Sequence, residues 1–295
     1  INLKMNLEPK KEIIEKLLDE FNKKKYRNLE AKISKLQIKN PNSIFLFNLL
    51  GAIQNELKNY DKAIYYYDKI IKINKNFADA YYNLGIIYKK IYKIDKSIYN
   101  YNKCIEINSK KFEAYNNLGN IYRDKDDIEK AVKNYLICLE INSNYLIALQ
   151  NFGICLQNYN LNNQSEIVNK HIINLLEKDN ILRPVDIIKS LINYIYLNLE
   201  FKEIIENAEK LNKKYKIEVL INKILNEKIF ILLLQITPIV DLKIEGFLKF
   251  LRKEILLNIS LIKNTNLALD LVKIIAKQCF INEYIYTTEQ VEEIA

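Results

Sequence analysis

Apolar residues recur along most of the chain at intervals of three and four, and strict period-two alternation is scarce. Phe47, Leu50 and Gln54 stand around Gly51 as Tyr81, Leu84 and Tyr88 stand around Gly85. Tyr115, Leu118 and Tyr122 do the same around Gly119, and Leu149, Phe152 and Leu156 around Gly153. That spacing lays large side chains along one stripe of an α-helix. Twelve residues beyond each glycine comes a small residue: Ala63, Ser97, Ala131 or Ser165. Four further on come Tyr67, Tyr101 and Tyr135, and Asn169 breaks the series. The four glycines are 34 residues apart. A glycine inside a helix costs about 1 kcal/mol relative to alanine, so each is expected to mark an approach too close for a side chain. The pattern predicts two helices per period, with the glycine on the first meeting the small residue on the second.

With 5 glycines and 4 prolines in 295 residues, helices meet few interruptions, and the chain reads as all-α. Residues 1–43 form a degenerate hairpin, with helices over 8–24 and 27–39 and Pro41 closing it. Residues 44–77, 78–111, 112–145 and 146–179 are successive repeats, within a region spanning 44–179, the last one weakening. At two junctions Lys75 and Ser109 stand where a proline would end the repeat, so asparagine-rich sequence such as "INKNF" must make the turn. Residues 180–236 are degenerate: Pro184 opens a helix, and Phe201–Leu211 puts Ile204, Ala208 and Leu211 on one face. Residues 237–295 leave the register as a C-terminal helical unit. Thr237 to Asn258 predict one amphipathic helix with Ile244, Phe247, Leu248, Leu251 and Ile255 as its stripe. In the "AKQCFINEYIY" that follows, Cys279, Phe280 and Tyr284 are expected to pack, with Asn282 and Glu283 capping or bridging helices.

The repeat resembles the tetratricopeptide repeat (TPR), whose pattern runs W-x2-L-G-x2-Y, then A-x3-F, then P. The likeness is clearest over residues 44–145. It implies a TPR α-solenoid, a right-handed superhelix of antiparallel helix pairs whose first helices line a concave groove for proteins or extended peptides. A second resemblance covers residues 237–289, in "TPIVDLKIEGFLKFLRKEIL" and "IIAKQCFINEYIYTTEQ". These look like the region that joins such repeats to a class I S-adenosylmethionine-dependent methyltransferase domain in bacterial proteins. That implies the substrate-recruiting part of a larger transferase, with S-adenosylmethionine belonging to a domain outside this chain. No glycine-rich strand-loop-helix for that cofactor stands in these residues, and a plain helical cap is the alternative.

The formal charge is +9 and the pI about 9.0. Basic residues are dispersed among Asp and Glu, with no zinc-finger spacing and no RNA-recognition motif, so specific nucleic-acid binding is not expected and a charge-driven binder is the weaker alternative. The longest apolar run, Ile229 to Ile236, is too short to span a bilayer; a cytoplasmic location is expected. The chain opens on Ile, so a leader upstream is neither seen nor excluded. Cys104 and Cys138 share one repeat position and Cys155 and Cys279 stand alone, which reads as buried free thiols. Catalytic and metal-binding residues are not expected. His171 is the single histidine, and Asp124, Asp126 and Asp127 cluster at a turn, where Asp serves as turn and cap residue.

Binding residues are legible at one position. Two residues before the glycines stand Leu49, Asn83, Asn117 and Asn151. An amide offers one acceptor and two donors, enough to pair with both backbone groups of an extended peptide. Similar asparagine ladders hold protein substrates in O-linked N-acetylglucosamine transferases, which keeps a glycosyltransferase-like parent as a further alternative. Asn48, Asn116, Asn120, Tyr82, Lys89 and Arg123 are expected to face the same groove and to favour polar or acidic segments. The carboxylate-clamp pattern of chaperone-binding repeats is not matched, since Ala52 and Glu113 replace its Asn and Lys. Solvated groove residues are the alternative reading of the asparagines.

Overall fold

The computed structural model describes residues 8–178, 180–207, 217–239, 241–258, 266 and 268–278. No strand occurs among them. The chain divides into two compact units, one running to Asp126 and the other starting at Asp127. The first contains α1 (Lys11–Asn22), α2 (Tyr26–Lys39), α3 (Ile44–Glu56), α4 (Tyr60–Ile73), α5 (Ala78–Lys90), α6 (Ile94–Ile107) and α7 (Phe112–Asp124). Each helix packs on the next.

Two kinds of turn alternate in this unit. Between the helices of a pair the chain enters the left-handed region at Lys24, Lys58, Tyr92 and Asp126, with φ of 58°, 61°, 57° and 61°. In the first three turns the N–H of the following residue reaches back across the helix end: Lys25 to Glu20 O, Asn59 to Gln54 O and Lys93 to Tyr88 O, at 3.2, 2.8 and 2.9 Å. This is the Schellman closure, which usually employs glycine at the left-handed residue. Between pairs, asparagine does the work expected of it. Asn74 Oδ1 accepts from Asn76 N at 2.9 Å and Asn108 Oδ1 accepts from Lys110 N at 3.1 Å. In the second unit Asn142 Oδ1 accepts from Asn144 N at 3.2 Å in the same manner.

The glycine contacts differ in one respect from the expectation. A Cβ on Gly51 would come within 2.7 Å of the Tyr67 ring, and one on Gly85 within 2.6 Å of the Tyr101 ring. The glycine therefore makes room for the tyrosine ring of the second helix. The small residue sits beside that contact: Ser97 Oγ donates to Gly85 O at 2.7 Å. Tyr67 and Tyr101 are buried, as are Leu50 and Leu84 of the first helices. At the N-terminal end, the Glu8 carboxylate accepts from Ile44 N at 2.9 Å and bonds the Ser43 hydroxyl, adding to the cap that Ser43 places on α3.

The second unit begins with α8 (Ile128–Ile141), whose N-cap is Asp127, and α9 (Leu146–Leu156). It continues through α10 (Glu166–Leu176), a 3-10 turn at Pro184–Asp186, α11 (Ile188–Ile195), α12 (Leu199–Glu206), α13 (Ile217–Asn226), α14 (Lys228–Ile236) and α15 (Leu242–Leu257). Residues 268–278 are also helical. Asn169, which interrupts the tyrosine series, accepts at Oδ1 from the hydroxyl of the buried Tyr194 on α11 at 2.6 Å. The amphipathic helix expected from Thr237 starts later, at Leu242. Thr237 is extended and Pro238 follows it, while Asp241 accepts from the N–H of Lys243 and Ile244, both at 3.0 Å, and so fixes the start. Its stripe of Ile244, Phe247, Leu248, Leu251 and Ile255 is buried, and the helix packs on α12.

Residues 268–278 are fastened by Gln278, which is fully buried. Its Nε2 donates to the carbonyls of Leu234 and Thr237 at 3.0 and 2.7 Å, and its Oε1 accepts from Ile239 N at 3.1 Å. The expectations for Ala208, Leu211, Cys279, Phe280, Asn282, Glu283 and Tyr284 fall outside the described residues. No described helix is long and apolar enough to cross a membrane.

Candidate functional site

Tyr82, Ile86 and Lys89 follow one another at four- and three-residue steps, so α5 presents them on one face. Asn117 meets that face from α7, its Nδ2 donating to Tyr82 Oη at 3.4 Å. Tyr101, held against Gly85, contributes from α6, with Tyr82 at 5.9 Å between ring centroids. Lys90 and Tyr92 complete an open hollow of about 540 Å³. Tyr92 is 88% exposed because its left-handed turn throws the ring outward. Burial pushes the Tyr101 hydroxyl well above its ordinary pKa and the neighbouring Tyr82 adds to this, while hydrogen bonding with Ser97 and Asn117 opposes it. Tyr101 is therefore a neutral part of the lining.

Lys89 and Lys90 bring charge to the lining, and acidic and basic residues alternate around it. Lys89 Nζ lies 3.1 Å from Asp124, and the same carboxylate is 4.0 Å from Arg123. Lys90 Nζ donates to a neutral partner, Asn55 Oδ1, at 3.0 Å. Lys111 stands over the Tyr82 ring at 4.9 Å and is paired with Asp79 at 2.9 Å. Burial alone would lower the Lys111 pKa, but the bond to Asp79 and the charges of Asp79 and Glu113 outweigh it and leave the ammonium raised.

Of the residues expected in a groove, Tyr82, Lys89 and Asn117 come together in this hollow. Asn83 is half-buried beside Tyr82, and its amide makes no hydrogen bond with a described residue. Asn48 is half-buried, with its Oδ1 enclosed and unpartnered. Asn120 and Arg123 are half-buried. Asn116, expected in the groove, is 4% exposed and belongs to the interior of the unit, although Tyr82 at the same repeat position on α5 lines the hollow. Asn151 is half-buried in the second unit. Ile86, Lys90, Tyr92 and Tyr101 were not singled out by the sequence pattern as binding residues. Aligning the turns as well as the helices would have found Tyr92, which shares its repeat position with Lys58.

Cys104, Cys138 and Cys155 are free and buried, in agreement with their reading as packing residues. Burial pushes the Cys104 thiol up to about 11, far from a reactive thiolate. His171 is 1% exposed, and burial, with Lys170 adding to it, lowers its pKa. Among the described residues no cluster of His, Cys, Asp and Glu could hold a metal ion.

Models of the tetratricopeptide repeat match residues 78–111 and 112–145, and a TPR repeat model matches residues 50–91. Residues 50–145 are tetratricopeptide repeats. No curated protein matches the chain. Among solved structures it is similar to MamA, at 21% identity and a TM-score of 0.46, over 54% of this chain and 91% of that one. It is similar to YrrB, described as a TPR protein with an unusual peptide-binding site, at 17% identity and a TM-score of 0.45, over 62% and 93%. PilW, described as a widely conserved type IV pilus biogenesis factor, is 16% identical with a TM-score of 0.47, over 69% and 93%. The TPR segment thus contains α5, α6 and α7, the helices that line the hollow.

Proposed function

We propose that this chain is a protein-interaction scaffold that holds an extended peptide along the hollow of its first unit. The observation that supports this most is the meeting of Tyr82, Lys89 and Asn117 in one open depression, with Asn83 half-buried on the same helix as Tyr82. An amide there pairs with the N–H and C=O of a bound strand without reading its side chains. The test is a screen of the purified chain against an immobilised library of random peptides, repeated with Asn83→Ala. Retention of a subset of peptides that weakens in the variant is expected; a library with no retained peptide overturns the reading.

A role as the recruiting arm of a larger transferase, with S-adenosylmethionine bound by a separate catalytic domain, rests on the resemblance of residues 237–289. The reading frame downstream of the chain tests it: a frame without a catalytic domain removes it.

A further inference from the structure

We infer that the hollow between α5, α6 and α7 selects acidic peptides that carry one apolar anchor, a preference that deepens the peptide-binding reading and rests on it. Two features carry the inference. The first is shape. Tyr82, Ile86 and Tyr92 give the hollow an apolar lining, and its volume of about 540 Å³ admits a leucine-sized or larger side chain. Tyr92 is fixed there by a left-handed turn closed from Lys93 N to Tyr88 O, so a large, exposed ring is presented at the rim at a backbone conformation that disfavours it.

The second is charge. The hollow is lined by two lysines, Lys89 and Lys90, and by no carboxylate; Asp124 pairs with Lys89 from outside the lining. The Lys89 pair with Asp124 is half-exposed, and such pairs contribute little to stability. A peptide carboxylate therefore enters as an added partner or replaces Asp124 at little cost. Among the described residues Lys90 holds an uncharged amide, and a carboxylate is the stronger acceptor for it. The amide of Asn117 is already engaged with Tyr82, so selectivity at this point comes from the lining and the charges and not from a backbone-reading rung at 117.

The experiment measures fluorescence anisotropy of the full chain with labelled peptides of about nine residues, long enough to span roughly 30 Å when extended. The probe contains glutamate and aspartate with one central leucine. Companion probes carry alanine at the centre, lysine in place of the acids, or uncharged serine and glutamine. A thymidine oligonucleotide of similar length tests the other anionic class. The acidic leucine peptide is expected to bind best, and the central alanine to weaken it about tenfold. Lys90→Glu is expected to weaken it to a similar degree, as is salt raised from about 50 to about 200 mM. Tyr92→Gly removes the rim ring at a position that glycine favours, so affinity falls while the melting temperature does not.

Equal binding of the lysine peptide overturns the inference. So does unchanged affinity in both variants, or tighter binding of the oligonucleotide. If uncharged and acidic peptides bind alike and Asn83→Ala still weakens them, the preference falls and the peptide-binding reading stands. If no peptide binds, both fall.

Discussion

At the scale of single residues, glycine and tyrosine are a matched pair. Ordinarily alanine at a helical glycine gains about 1 kcal/mol. At Gly85 the added Cβ meets the Tyr101 ring at 2.6 Å, and that overlap reverses the sign. Gly85→Ala is expected to lose about 1–3 kcal/mol in a urea melt. Adding Tyr101→Leu should return part of the loss, and a strictly additive double-mutant cycle would show that the two do not couple. The 34-residue series told where a side chain is forbidden. It did not tell what occupies the space, because period alone does not fix which of Ser97 and Tyr101 leans over the glycine. Tyr92 runs the other way. A side chain at positive φ costs about 1–2 kcal/mol, of which glycine's greater loss of chain entropy takes back part. Tyr92→Gly is expected to gain about 0.5–1 kcal/mol, and a lower melting temperature would refute the strain.

At the scale of elements, the helices of residues 44–124 were legible in the apolar stripe, and their turns were legible wherever asparagine made them. Asn108→Ala removes the acceptor for Lys110 N and is expected to cost about 0.5–1.5 kcal/mol. A loss no larger than that of an exposed Asn102→Ala control would deny the turn its role. Legibility faded beyond α10. The start of α15 was misplaced by several residues because Thr237 and Pro238 look like a helix entry, whereas Asp241 supplies the cap. Gln278 was invisible for another reason: its three partners lie 39, 41 and 44 residues earlier, and no local pattern reports a side chain that closes a loop of that length. Gln278→Leu leaves two buried carbonyls and one N–H unpaired and is expected to cost at least about 2 kcal/mol. Unchanged hydrogen-exchange protection at Ile239 N–H would contradict that assignment.

At the scale of the molecule, one group ties stability to pH near neutrality. His171 is the chain's single histidine, and burial lowers its pKa. The unfolded chain takes up a proton near pH 6.5 and the folded one only at lower pH. The stabilisation is therefore complete above about 6.5 and is lost as the pH falls from there through the folded value. Melting temperatures between about pH 7.5 and 5 should fall in the parent and flatten in His171→Gln; parallel curves would place the titration elsewhere. Tyr82, Lys89 and Asn117, expected in a groove from the sequence, line the hollow although they stand at three different repeat positions. Lys90 and Tyr92 escaped because they stand at the helix end and in the turn, where side-chain direction follows the backbone and not the helical period. The Gln278 clasp also sets an order of events during synthesis. At roughly 5–20 residues per second, the 39 residues from Ile239 to Gln278 take about 2–8 s to make. Over that interval the carbonyls of Leu234 and Thr237 lack the Gln278 amide that later binds them. Among the described residues, the end of α14 thus waits on a late-made partner, and for that time it is open to a chaperone or a protease.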